Sequence, residues 1–385
     1  MDVNILVNLF DIHNEAGLVA IEKLKPNNVI YIIDEEFAEA YEKINLYYMN
    51  HFKNIKFKSY VIKAGDVESI NKIINSISAK DTIINVTGGK RVTSLMFLNY
   101  AIKGNFRVIY VDVFNKRWYS LGNNISISEE EFNDIMIEDF IRLSGADVVM
   151  DSSELSKTEE IIEITKMIYN NLELWYRYKN KLYDGNIFIH NKIDSNIIMV
   201  NLKNLNNIEL NILVKSLDYL KSIGCIKYSE SEEKIIKVTF IKDYVKSFIF
   251  KSGTWLEVLT NIVINEISEV DETKNGVVFI WNEGCKKIRN ELDVVAVKDS
   301  VLICISCKDS EKYDEDALNE LEVYSKRIGG NTAQKILVAT KKPLKQCITE
   351  RAKAMGIELV ILDKNVETFK EKLRKIINKN DFLKN

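Results

Sequence analysis

Proline is nearly absent from this chain of 385 residues, with Pro26 and Pro343 the only two. No proline-marked linker is therefore visible, and domain joints must be read from changes of pattern. Histidine is equally sparse: His13, His51 and His190 are scattered, which argues against a zinc centre. The five cysteines, Cys225, Cys285, Cys304, Cys307 and Cys347, are odd in number and follow no framework spacing, as expected of reduced thiols in a cytosol. No run of about 20 apolar residues is present, so no membrane span is expected. The opening MDVNILVNLF carries an acid where a signal peptide has basic residues. A cytoplasmic protein without a signal peptide is the expectation. The formal net charge of −3 gives no global nucleic-acid signature, so any such site would be a local basic surface.

What is present is a globular mix, 46% apolar and 28% charged, in a chain long enough for two or three domains. From Val3 to Val113 short apolar runs (NILVNLF, VIYIID, FKSYVI, TIINVT, RVIYVDV) alternate with amphipathic stretches beginning near Asn14, Glu35, Asp66 and Lys90. That alternation predicts a doubly wound parallel sheet, with ligands at the carboxyl ends of its strands. Helical patterns over Glu129–Leu143 and Leu155–Lys179 carry the chain onward, giving a first domain of residues 1–150. Residues 151–250 form a helical linker and a winged-helix-like unit, in which NIELNILVKSLDYLKSIG precedes two strand-like runs around the polar turn SESEE. Its acidic tip repels phosphates, so a packing role is favoured over DNA binding. Residues 251–385 form a second α/β domain, with helices over Glu311–Ile328 and Pro343–Met355.

The stretch TIINVTGGKRVTSLMF places a Thr-Gly-Gly turn between a strand and a helix that begins with Lys90. Glycines let backbone approach an anion, and a helix N-terminus favours negative charge. It is not a P-loop, which would need glycine at Ile84 and a hydroxyl at Arg91. No dinucleotide fingerprint follows the first strand, where NLFDIHNEAG stands. The turn reads either as a site for a ligand with phosphates and ribose hydroxyls or as a tight turn with an exposed lysine. NVTGGKRVTSLM, together with NILVNLFDIHNEAGLVAI, resembles the ligand motif of the CARF family, the CRISPR-associated Rossmann fold. That resemblance implies that Thr87, Gly88, Gly89, Lys90 and Thr93, joined by Asn8, Phe10 and Asp11, contact cyclic oligoadenylate. It also implies a homodimer matched to the symmetry of the ring.

In the last domain, RNELDVVAVKDSVLICISCKDS reads as two strands joined at Lys298-Asp299-Ser300. Alternation puts Glu291, Asp293 and Val295 on one face, and Cys304, Ser306 and Lys308 on one face of the second strand. The thiols of Cys304 and Cys307 then face opposite sides, which excludes redox or zinc C-x-x-C chemistry. An acid on one strand and a lysine ending the next resemble the PD-(D/E)XK nuclease family, and GTWLE supplies Glu257 from a preceding helix. The resemblance implies Glu257 and Asp293 as ligands of Mn²⁺ or Mg²⁺, hard cations that prefer oxygen. Lys308 would position the attacking water, and the carbonyl of Cys307, or a water held by Ser306, would complete the metal shell. Ser306 stands where the family has an acid, so an active variant and a decayed site both have to be considered. Asp293 and Lys308 as a simple cross-strand ion pair is the plainer alternative. The stripe WYRYKNKLY, Trp175–Tyr183, reads as a packed helix face more readily than as a base-stacking surface.

Joined, the two motifs resemble the cyclic-oligoadenylate-activated ancillary nucleases of type III CRISPR defence. The resemblance implies cyclic tetra-adenylate as activator and DNA, RNA or both as substrate. The rival expectation is a ligand-responsive DNA-binding regulator whose nuclease-like domain is inert.

Overall fold

Each apolar run of the N-terminal part becomes a strand, and the amphipathic stretches between them become its helices. A computed structural model describes residues 3–122, 125–129, 132–251, 253–283 and 286–379. Strands β1 (Ile5–Leu9), β2 (Asn28–Asp34), β3 (Lys56–Ile62), β4 (Thr82–Asn85) and β5 (Arg107–Asp112) pair in parallel, and β6 (Arg117–Leu121) and β7 (Ser126–Glu129) extend the sheet antiparallel. The order is β3-β2-β1-β4-β5-β6-β7, so strand order reverses between β1 and β4. The segments that follow these two strands, including the Thr-Gly-Gly turn, therefore flank the crevice where such sheets bind ligands. Helices start where expected, at Glu15, Ala38, Val67 and Arg91, and Asp66 caps the third by accepting the N–H groups of Glu68 and Ser69.

The helix expected over Glu129–Leu143 is shorter. Ser126–Glu129 instead extends the hairpin as β7, and the helix covers only Ile137–Leu143. Next comes β8 (Ala146–Met150), which pairs with the C-terminal sheet, so a cut at residue 150 separates it from its sheet partners. The pattern over Leu155–Lys179 divides into helices Ser153–Ser156, Glu159–Asn170 and Leu172–Tyr178. A middle sheet of β9 (Phe188–His190), β10 (Ile197–Asn201), β11 (Ile226–Glu230) and β12 (Ile235–Phe240) follows, with the helix Asn207–Ser222 before the β11–β12 wing. That helix is capped by the Asn206/Glu209 box and stopped at Gly224, whose φ is +73°.

The last sheet combines β13 (Glu272–Glu283), β14 (Lys286–Lys298), β15 (Val301–Lys308), β16 (Gln334–Ala339) and β17 (Ile357–Ile361) with β8, in the order β17-β16-β15-β14-β13-β8. The β14–β15 turn is tight, with Asp299 and Ser300 both in the left-handed region. One hydrophobic core runs unbroken from Leu6, Phe10 and Tyr31 through Ile137 and Phe140 to Phe279, Val295 and Leu321. The N-terminal sheet and one face of the last sheet are thereby packed as a unit. No helix among the described residues is long and apolar enough to cross a membrane.

Candidate active site and candidate ligand turn

The helix Thr254–Asn265 begins after Gly253, which takes φ +88°, and it carries Glu257 in its first turn. Glu257 is only 7% exposed, and its carboxyl makes no hydrogen bond or ion pair with any described residue. Burial, and then the neighbouring charge of Asp293, push its carboxyl up to about 8. It borders a cavity of about 790 Å³ shared with Lys251, Glu291, Asp293, Ser306 and Lys308.

Asp293 sits on β14 opposite the end of β15. One carboxylate oxygen accepts the Cys307 N–H at 2.7 Å and the Ser306 hydroxyl at 3.2 Å. Ser306, standing in place of an acid, thus donates to Asp293 and helps fix its orientation. Lys308 Nζ lies 3.9 Å from the same oxygen, too far for a hydrogen bond, so the ammonium is not consumed by a close cross-strand pair. Strict alternation fails beside Asp293: Leu292 and Val295 enter one core, whereas Val294 enters the other. The distortion lies beside Gly276 on β13, between the pairs Asn275–Val294 and Val277–Leu292, where φ is +57°.

Cys304 and Cys307 do fall on opposite faces, one in each core. Burial pushes the Cys304 thiol up to about 12 and the Cys307 thiol well above its ordinary value, with the charges of Asp293 and Glu257 adding to the latter. Neither is a thiolate ligand. Cys285 lies outside the described residues.

Do these residues fit a divalent metal? No group of three or more His, Cys, Asp or Glu among the described residues is close enough to form a ligand cluster. The donor set consists of two carboxylates and main-chain oxygen, suited to Mg²⁺ or Mn²⁺ and unsuited to zinc. The buried, unpartnered Glu257 is the group a cation would satisfy.

The N-terminal turn is built as tightly. A Cβ on Gly88 would lie 2.3 Å from the Leu9 carbonyl oxygen and 3.4 Å from Asp11 Cβ, so β1's loop and the turn touch. Gly89 takes φ +80°. Thr87 Oγ1 donates to Asn85 at 2.6 Å and accepts the Val111 N–H at 2.8 Å. Asp34, at the end of β2, accepts the Lys90 N–H at 3.0 Å and the Thr93 hydroxyl at 2.8 Å, and Lys90 Nζ pairs with Glu36 at 2.7 Å.

Asn8 and Phe10 stand apart from this surface. Both are fully buried: Asn8 accepts a hydrogen bond from Asn85, and Phe10 packs edge-on against Tyr31 and Tyr41. Thr93 is also buried, its hydroxyl committed to Asp34. These three shape the site from beneath, while Asp11, Thr87, Gly88, Gly89 and Lys90 remain partly accessible. Lys251 was missed as a site residue, and Asp34, a strand-end candidate, was not assigned a contact. Asp34 had a signal, since it ends the run VIYIID at a strand's carboxyl end.

A parallel α/β sheet with a glycine turn at its switch point is thus joined to a second sheet carrying a carboxylate–lysine hairpin. Residues 243–379 match the family of Card1-like endonuclease domains. Three solved structures share the fold. Protein VC1899 from Vibrio cholerae is 20% identical with a TM-score of 0.73, covering 97% of both chains. Can2 from Sulfobacillus thermosulfidooxidans, solved with cyclic tetra-adenylate, is 18% identical with a TM-score of 0.70, covering 97% of this chain and 99% of that one. A type III CRISPR defence DNA nuclease activated by cyclic oligoadenylate is 12% identical with a TM-score of 0.58; the match covers 99% of this chain and 52% of that one. Among curated proteins none matches the sequence. The likeness to sensor-nucleases drawn from the two sequence motifs is thus met by a family match at the C-terminal end and a fold match over nearly the whole chain.

Proposed function

We propose that this protein is a divalent-metal-dependent nuclease, switched on by cyclic tetra-adenylate and acting on DNA, and on RNA as a second substrate, in type III CRISPR defence. The observation that carries it is the meeting of Glu257, Asp293 and Lys308 around one cavity inside the segment that matches Card1-like endonuclease domains. Glu257, Asp293 and the carbonyl of Cys307 would hold Mn²⁺ or Mg²⁺, which lowers the pKa of bound water and neutralises charge building on the phosphate. Ser306 and the Cys307 N–H hold the Asp293 carboxylate in one orientation. Lys308, half-exposed to the cavity, holds the attacking water or the phosphate oxygen.

The same reading assigns residues 1–150 to ligand sensing, 151–250 to a linker and 251–385 to cleavage, with β8 crossing from the first to the last. The ligand contacts are Asp11, Thr87, Gly88, Gly89 and Lys90, with a homodimer in the cytoplasm completing a two-fold site. Activation requires the ligand to bind the cleavage-competent arrangement more tightly than the resting one.

The deciding experiment is cleavage of single-stranded DNA, supercoiled DNA and RNA with Mn²⁺, with and without cyclic tetra-adenylate, beside the Asp293→Ala and Lys90→Ala proteins. Ligand-dependent cutting is expected, abolished by Asp293→Ala and weakened by Lys90→Ala. Cutting by the Asp293→Ala protein would refute the site. Silence on every substrate despite ligand binding would make Ser306 the mark of a decayed site and favour the DNA-binding regulator.

A further inference from the structure

The stripe WYRYKNKLY has no part in the reading above, and the structure shows where two of its residues go. Trp175 Nε1 donates to Asp309 at 2.8 Å, and Lys179 Nζ lies 3.0 Å from the same carboxylate oxygen while also donating to the Asp309 carbonyl. We infer that Asp309 is a positioning residue of the nuclease site and that the segment Leu172–Tyr183 is its clamp, not a nucleic-acid reader. The inference rests on the site proposed above.

Asp309 follows Lys308 directly, at the end of β15, and its side chain is 1% exposed. A carboxylate buried to that degree persists only when its oxygens are paired. Here four groups from three elements and one strand end do so. Besides Trp175 and Lys179, Trp255 Nε1 donates to it at 2.9 Å and Thr340 Oγ1 at 3.2 Å. Trp255 lies two residues before Glu257 on the same helix. Thr340 directly follows β16, and its N–H donates to the Lys308 carbonyl at 3.1 Å. The two indoles meet edge-on, with ring centroids 6.4 Å apart.

One carboxylate therefore ties together the helix that carries Glu257, the strand that carries Lys308, the neighbouring strand end and the middle segment. Catalytic groups must be held to within about 0.5 Å, and a misplacement of about 1 Å can cost 10²-fold. Trp175 and Lys179 commit their indole N–H and ammonium groups inward to a buried acid. The bland packing reading of the stripe is thereby sharpened: its packing partner is the residue next to the candidate catalytic lysine.

Trp175→Phe deletes the N–H and leaves a smaller aromatic ring, whereas Asp309→Asn keeps the shape and deletes the charge. Both are compared with wild type and Asp293→Ala in ligand-activated cleavage, with kcat and KM resolved, alongside thermal melting and ¹⁵N spectra of the indole N–H groups. Expected are a fall in kcat of about 10- to 100-fold, KM within about twofold, melting within a few degrees, and displaced Trp175 and Trp255 indole signals in Asp309→Asn. A raised KM with unchanged kcat would overturn the inference in favour of substrate contact. A lowered melting point with unchanged kcat would overturn it in favour of bulk stability. If the wild type is inert, or Asp293→Ala still cuts, the functional reading fails; the indole signals then decide alone, and undisplaced signals in Asp309→Asn overturn the clamp.

Discussion

Glu15 opens the helix behind the ligand turn, and burial pushes its carboxyl up to about 7, with Asp11 adding to the effect. His13 Nδ1, 3.9 Å away, is held by its own burial below the usual imidazole range and offers little compensation. A carboxyl raised in the folded state contributes stability that is fully present below its unfolded value and is lost as pH rises through about 7. The unliganded protein should therefore melt lower at pH 8 than at pH 5, with a smaller difference in Glu15→Gln. A polyanionic ligand bound beside Asp11 raises Glu15 further and is taken up with a proton. Its affinity should fall between pH 6 and pH 8, by at most about tenfold per unit for one coupled proton. Calorimetric titration of cyclic tetra-adenylate across that range checks it, and a flat profile in the wild type would sink the linkage.

The β4 turn works because of one missing side chain. With the Leu9 carbonyl oxygen only 2.3 Å from where a Cβ would stand, Gly88→Ala must push the turn away from β1's loop. That variant should lose about 1–3 kcal/mol of stability and at least tenfold in ligand affinity. Metal binding at the distant cavity, followed by Mn²⁺ titration, should be unchanged; retained ligand affinity would mean that the turn is not the contact. Local signals of this kind are what made the elements legible. Glycines marked the turn, period-two alternation marked the β14–β15 hairpin, and an amphipathic repeat beginning near Asp66 marked the third helix. Side-chain direction was less legible. β1 is buried on both faces, so nothing in its sequence distinguished the inward Asn8 and Phe10 from the outward Asp11. The Asp309 partners lie up to 134 residues away in the chain, beyond any local pattern. Five residues reading ADVVM cannot say which sheet they will join, and β8 pairs with β13 of the C-terminal sheet.

Across the whole molecule, a chain of contacts runs from the candidate ligand turn to the tip of the candidate catalytic hairpin. Thr87 Oγ1 accepts the Val111 N–H near the end of β5, and Asp112 then closes the following turn by accepting the Asn115 N–H at 3.1 Å. From that turn Lys116 Nζ reaches Asp134 at 3.1 Å and Asp299 at 3.5 Å. Ser300 completes the joint, donating to Asp134 at 3.0 Å and accepting the Ile135 N–H at 3.0 Å. Asp299 and Ser300 are the tip of the β14–β15 hairpin, whose far end carries Asp293 and Lys308. Coupling between sites rests on a two-state element that both can bias, and the hairpin, joined at its tip through Lys116 to the turn after β5, is placed to be that element. Lys116→Met together with Ser300→Ala should leave ligand affinity within about twofold of the wild type. Cleavage at saturating ligand should fall about 5- to 30-fold, the scale of 1–2 kcal/mol of lost coupling. The measurement is cleavage rate against ligand concentration, with ligand binding determined separately on the same proteins. A rightward shift of the curve with an unchanged plateau would instead place Lys116 in the ligand site. An unchanged curve would direct the coupling elsewhere, to the contact of His13 with Gly330 at the end of the helix Glu315–Gly329 that borders the catalytic cavity.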